Sequence, residues 1–176
     1  FNEDFTDDHG NTCEFTRAQM YITNPVYFDD QSAELAAPSE YLLVSPSETT
    51  YAIGTLPAET HVHTMDLLVG VDTTVNFADP AAYSSDHALA YQSPSMHWNW
   101  NSGYIFIAIE GHVDIDNNGT YDAGEDFVMH VGMSSMARDV QGLLVDFNTV
   151  GGMTHNIQLD IDWRELVAGI DLSTDN

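Results

Sequence analysis

Lysine is absent from this 176-residue chain, and its only cations are Arg17, Arg138 and Arg164 against 28 Asp and Glu. A formal net charge of −25 repels phosphate backbones and anionic lipid, which argues against a nucleic-acid partner or electrostatic docking on a membrane. Cysteine is nearly absent as well. Cys13 alone allows no intrachain disulfide and no all-cysteine zinc or iron–sulfur site. No apolar run approaches the roughly 20 residues that span a bilayer as a helix. The chain is nonetheless 43% hydrophobic and 11% aromatic, enough for a packed core rather than a disordered acidic tail. Such a surface attracts cations and suits a saline or calcium-rich exterior, so an extracellular, cell-surface or periplasmic location is expected.

Helical periodicity is scarce too. Short apolar stretches, bounded by Gly, Pro, Asn, Asp or Ser, predict strands over Phe15–Ile22, Tyr41–Val44, Thr50–Ile53, His61–Val69, Tyr104–Glu110, Phe127–Gly132 and His155–Ile161. The alternation of Tyr104, Phe106, Ala108 and Glu110 with Ile105, Ile107 and Ile109 predicts one strongly apolar face. A helical turn is expected at Pro80–Tyr83, a short helix at Trp163–Ala168 and a long surface loop from Asn76 to Pro94. With no repeat and no domain boundary, residues 1–176 read as one all-β domain, an antiparallel β-sandwich or flattened β-barrel.

The sharpest motif runs from Asp114 to Glu125 and satisfies D-x-[DN]-x-[DN]-G-x5-E at every position. Oxygens of Asp114, Asp116 and Asn118 converge on a hard cation, and Gly119 permits the sharp turn. The Thr120 carbonyl adds a ligand, Asp122 acts directly or through water, and Glu125 closes the sphere with both oxygens. The flanks read as strands, so the expectation is a calcium loop that braces a hairpin. A plain water-facing Asp/Asn/Gly turn is the alternative.

Eight histidines include His61 and His63, two apart in a strand and therefore on one face, in the parity of Met65, Leu67 and Val69. Imidazoles at the end of a core-facing row need partners, and a metal held by His61, His63 and His130 supplies one. The ordinary alternative is a wet strand end where both bond to water or carboxylates. His97, His112 and His155 are reserve ligands, while His9 and His87 stand in polar, loop-like settings. Trp98 and Trp100 share a strand face, for which core packing is the usual reason.

The run Met96-His-Trp98-Asn-Trp100-Asn-Ser-Gly103-Tyr104-Ile-Phe-Ile-Ala-Ile-Glu110-Gly111 resembles the M-x-W-x-W-x-x-G-Y-x-F-x-x-x-E-G signature of the MbnP-like family. Phe15-Thr-Arg17-Ala-Gln-Met-Tyr21-Ile-Thr-Asn24, Leu67-Leu-Val-Gly70-Val-Asp72 and Phe127-Val-Met-His130-Val-Gly132 resemble further family segments in the same order. The resemblance implies an exported β-barrel-like protein associated with copper. Related copper-repressible surface proteins of methane-oxidising bacteria hold one copper through two histidines and a tryptophan oxidised to kynurenine. By that resemblance His63 and His130 take the histidine positions, and His61 stands where the oxidised tryptophan would be. Trp98 and Trp100 then remain as candidates for oxidation by a dihaem partner enzyme.

The expected function is copper binding for storage, scavenging or delivery, without turnover, beside a structural calcium site. No Ser–His–Asp set, phosphate loop or cofactor fingerprint can be placed. The alternative is a calcium-stabilised surface or assembly subunit that self-associates and has no transition-metal role.

Overall fold

The computed structural model describes residues 3–99 and 101–174. Nine strands make one antiparallel sheet: β1 (Phe5–Thr6), β2 (Thr12–Phe28), β3 (Glu34–Ala36), β4 (Tyr41–Val44), β5 (His61–Val69), β6 (His97–Asn99), β7 (Gly103–Asp114), β8 (Asp126–Gly132) and β9 (Arg138–Asn148). The main order is β6-β7-β2-β5-β9, with β8 paired to β7 and β1, β3 and β4 paired to β2. The all-β, antiparallel expectation is met. The sheet is open, however, because no pairing among the described residues joins β9 back to β6 or β8. Among the described residues helix is confined to 3-10 turns at Pro80–Ala82, Ser134–Met136 and Arg164–Val167.

β2 is the spine. Thr12 to Met20 pair with β7, Met20 to Thr23 with β4, and Ile22 to Phe28 with β5. Its period-2 burial restarts twice, between Phe15 and Ala18 where the register with β7 shifts and between Met20 and Tyr21 where the partner changes, and a further register shift with β5 lies between Thr23 and Val26. Bulges of this kind bend a strand and increase its twist, which lets one strand serve two sets of partners.

The β7 expectation needs correction. Tyr104, Ile105, Phe106, Ala108 and Ile109 are all nearly fully buried, so both faces of the strand are covered. One cover is the 71–96 segment. Most of its residues from Asn76 to Pro94 are exposed, as expected of a surface loop, but Leu89 within it and Val71 and Met96 beside it are buried in a cluster with Tyr21, Tyr104 and Phe106. The other is the C-terminal segment, whose Val167 and Leu172 join Cys13, Phe15, Ile109, Val113 and Phe127. Full burial of side chains of this size stabilises by about 1.5–3 kcal/mol each. Polar contacts fix the first cover: Tyr104 Oη donates to Leu89 O at 2.6 Å, Tyr21 Oη to Ala88 O at 3.0 Å, and Tyr104 N–H to Asn76 Oδ1 at 3.0 Å. Burial pushes both phenols well above their ordinary range, so they remain donors.

Two expected strands have no ladder. Thr50–Ile53 and His155–Ile161 pair with nothing among the described residues. Their alternation serves packing instead, since Ile53 and Ile157 rest against the third cluster, of Tyr27, Val62, Met65 and Leu67. The two segments border a groove of about 580 Å³. Conversely β9, an 11-residue strand, was not anticipated. Twice along it four residues oppose three of β5, at Val140–Leu143 against Leu67–Met65 and at Leu144–Phe147 against Thr64–Val62. Gly142 and Asp146 sit in these bulges with φ of 70° and 43°.

Candidate metal centre

His61 and His63 open β5, beyond the point where Thr64 pairs with Phe28 at the end of β2. The turn from β2 to β3 lies on one side, held by Asp29 Oδ1, which accepts the Gln31 and Ala33 N–H groups. The bulge of β9 lies on the other. The face assignment changes here. Val62 is completely buried while Met65 and Leu67 are buried further along, so the core-facing parity switches between them and both histidines face outward. Their side chains are 32% and 43% exposed.

Carboxylates meet them from both flanks. His61 Nδ1–H donates to Asp30 Oδ2 at 2.8 Å, and His61 Nε2 lies 3.2 Å from Asp146 Oδ1. His63 Nδ1 lies 3.6 Å from the same Asp146 oxygen and 3.7 Å from Asp30 Oδ1. These distances are too long for hydrogen bonds, and His63 Nδ1, itself shielded from solvent, has no hydrogen-bond partner among the described residues. The wet-end alternative is therefore half met, for His61 only. Pairs this exposed contribute about 1 kcal/mol or less, so stability alone does not account for the arrangement.

His130 is not brought to this place. It pairs with Ala108, which pairs with Gln19 of β2, while Thr64 of β5 pairs with Phe28. Gln19 and Phe28 are nine steps apart along β2, about 30 Å of strand. His130 Nε2 instead hydrogen-bonds Glu110 Oε1 at 2.8 Å, and Glu110 also accepts from Arg17. The reserve histidines lie elsewhere, and the Nε2 of His97 is likewise buried without a hydrogen-bond partner among the described residues. His112 faces Asp126 at 2.8 Å, His155 Nε2 accepts the Val150 N–H at 3.2 Å, and the His97 ring packs edge-on against Tyr104. His87, expected to be solvated, accepts the Leu89 N–H on Nδ1 at 3.0 Å and stacks on Tyr83. His9 is exposed, as expected.

Trp98 is 40% exposed, and its ring lies over Gly132, where a Cβ would come within 2.6 Å of it. Trp100 lies outside the described residues. Cys13 is buried, and burial pushes its thiol up to about 12, so it offers no thiolate at neutral pH.

The Asp114–Glu125 loop joins β7 to β8, as its strand-like flanks imply. Asp114 and Glu125 are only 4% and 8% exposed. Asp114 accepts from the Asn118 and Gly119 N–H groups, and Glu125 from those of Ile115 and Asp122. Oxygens of Asp114, Asp116 and Glu125 lie within 4.8 Å of one another. Like charges at that separation repel by about 3–4 kcal/mol per pair at an effective dielectric of 20, a repulsion that a divalent cation reverses. Asn118 Nδ2 donates to Asp116 and Asp122, while Thr120 N–H and Oγ1 donate to Asn118 Oδ1. Asp7, His9 and Asp171 form a second such group, and His61 and His63 belong to neither.

Sequence reasoning missed Asp30 and Asp146. The one signal was a lone carboxylate, Asp146, inside the otherwise apolar run Leu143–Phe147.

Comparison with known proteins agrees with the early motif. No curated protein matches the sequence. Among solved structures the chain is similar to MbnP from Methylosinus trichosporium, at 16% identity and a TM-score of 0.56, over 82% of this chain and 65% of that one. The chain thus spans less than two thirds of that protein's length, and the likeness is one of fold. The family model MbnP matches residues 1–176, and the chain belongs to the MbnP family.

Proposed function

We propose that this chain is an exported copper-binding protein that stores, scavenges or delivers the ion without turning over a substrate. Copper is held at His61 and His63, and calcium stiffens the Asp114–Glu125 loop. Membership of the MbnP family supports a metal-related role. The observation that carries the reading is the pair of outward-facing imidazoles, one with a shielded Nδ1 that nothing among the described residues hydrogen-bonds. Imidazole suits copper, zinc and nickel, and among these the divalent copper ion binds most tightly to a given nitrogen and oxygen set. His130 is not a ligand in this reading. The test is copper uptake by purified apo-protein, quantified by elemental analysis after gel filtration. One tightly held copper per chain is expected, with His63→Ala reducing it to a small fraction. Less than one copper, or uptake indifferent to His63→Ala, overturns the reading.

The convergence of Asp114, Asp116 and Glu125 favours a second reading, a calcium-braced surface or assembly subunit. Calcium-dependent self-association in a protein that takes up no copper decides for it.

A further inference from the structure

The 155–161 segment borders the groove without belonging to the sheet. Ile157, Leu159 and Ile161 alternate with Asn156, Gln158 and Asp160, the pattern of a half-covered strand. Yet no backbone N–H or C=O of these residues is hydrogen-bonded among the described residues. Such groups need partners as much as those inside a ladder do. The segment is pinned at its ends: the His155 ring stacks on Phe147 with centroids 5.1 Å apart, and Trp163 packs against the second cluster. Between these points Leu159 and Ile161 stay 41% and 36% exposed, although both line the groove. Ile22, Leu42 and Leu67 line it from the sheet, and at about 580 Å³ it has the size of a ligand site.

We propose that the groove takes an extended peptide from another protein, apolar at alternate positions with lysine or arginine between them, which adds as a strand along residues 155–161. Strand addition supplies the missing main-chain partners, while alternate side chains fill the apolar lining. A compact apolar molecule would fill the lining and leave the backbone unpaired. Charge selects the polar positions of the partner. Glu48 and Asp160 line the groove, no Lys or Arg does, and Arg164 just beyond it is paired to Asp162 at 3.2 Å. With a net charge of −25 on each chain, a second copy is repelled where a basic segment is drawn in.

The probe is a capped heptapeptide of alternating lysine and valine, titrated by calorimetry into the protein at about 0.15 M salt. One peptide is expected to bind per chain, with amide exchange slowed over residues 155–161. Leu159→Ser and Ile161→Ser together are expected to weaken it at least about tenfold. Both positions are exposed, so the fold survives, which circular dichroism checks. A lysine–serine peptide is expected to bind as weakly. N-methylating the probe at its lysines or at its valines is expected to abolish binding in at least one case, because alternate amides point to opposite edges. Equal binding of the lysine–serine peptide means attraction by charge alone, and equal binding to the doubly substituted chain means another site; either overturns the proposal. So do two N-methylated probes that bind as before, or a groove that takes up an apolar dye but no peptide at about 1 mM. A dimer that the double substitution abolishes, in a protein that binds no peptide, overturns it in favour of a second copy.

Discussion

At the scale of single residues, Glu110 shows how much one charge carries in a chain so poor in cations. Its carboxylate accepts from His130 and from Arg17, whose side chain is only 10% exposed. Arg17 also donates to Gln19 and to the Ser95 carbonyl, so the same guanidinium fastens the 71–96 cover to β2. Burial alone would raise the Glu110 carboxyl, but the hydrogen bonds from His130 and Arg17 outweigh it and hold the group below the ordinary carboxylate range. A folded-state value below the unfolded one gives stability that is complete above the unfolded value and lost as pH falls through the folded one. Glu110→Gln should therefore cost about 2–3 kcal/mol near neutrality, and the gap to wild type should shrink as pH falls below about 4. Urea unfolding of both proteins from about pH 7 to 3 checks this, and a gap constant across that range refutes it. Residue-level reading of the candidate site from sequence succeeded in part. Histidines two apart announce a shared face whatever the fold, so His61 and His63 were legible, whereas His130 was grouped with them without knowledge of the ladder that separates them. Asp30 approaches from a hairpin turn, where no period reveals side-chain direction, and Asp146 from an exposed position of β9, a strand that the periodicity did not disclose.

At the scale of elements, regular strands were legible and irregular ones were not. Tyr41–Val44 and His61–Val69 fall where expected because each pairs mostly in step with β2 over the stretch that was read. β9 escaped notice because its first bulge reverses the inward parity, so that Val140 falls out of step with Leu143, Val145 and Phe147 although all four pack on one cluster. The false strands at Thr50–Ile53 and His155–Ile161 are the converse error, since alternation reports a half-covered surface and says nothing about a ladder partner. Two glycines test what the elements demand. At Gly142, in the first bulge of β9, an added Cβ meets nothing within 4 Å, so the cost of Gly142→Ala is that of the left-handed backbone alone, about 1–2 kcal/mol. At Gly111, where β7 passes β2, the same Cβ would stand 2.1 Å from Glu14 O and 2.5 Å from the Phe127 ring. Gly111→Ala should cost about 3 kcal/mol or more, because backbone cannot yield as a side chain can. Denaturant midpoints should rank wild type, then Gly142→Ala, then Gly111→Ala, and equal losses at the two sites would refute the contrast.

At the scale of the whole molecule, the charge of −25 works against the folded state, because folding gathers carboxylates that an unfolded chain keeps apart. Two effects relieve it, and they can be separated. Salt screens every exposed pair, with a Debye length of about 10 Å at 0.1 M, and so raises stability without regard to sequence. Calcium bound as proposed at the 114–125 loop would act at one place, where Asp114, Asp116 and Glu125 repel one another and two of the three are nearly shut off from water. A cation at 100 times its dissociation constant stabilises the folded state by about 2.7 kcal/mol, or about 5–10 °C in midpoint for a chain of this length. Glu125→Gln withdraws the carboxylate that would close the coordination sphere while leaving almost the entire surface charge in place. Millimolar calcium at constant ionic strength should therefore raise the unfolding midpoint of wild type by that amount and that of Glu125→Gln by very little, whereas sodium chloride should raise both alike. A calcium increment that survives the substitution, or one that sodium reproduces, would mean that the ion acts only as screening and that the loop is a surface turn.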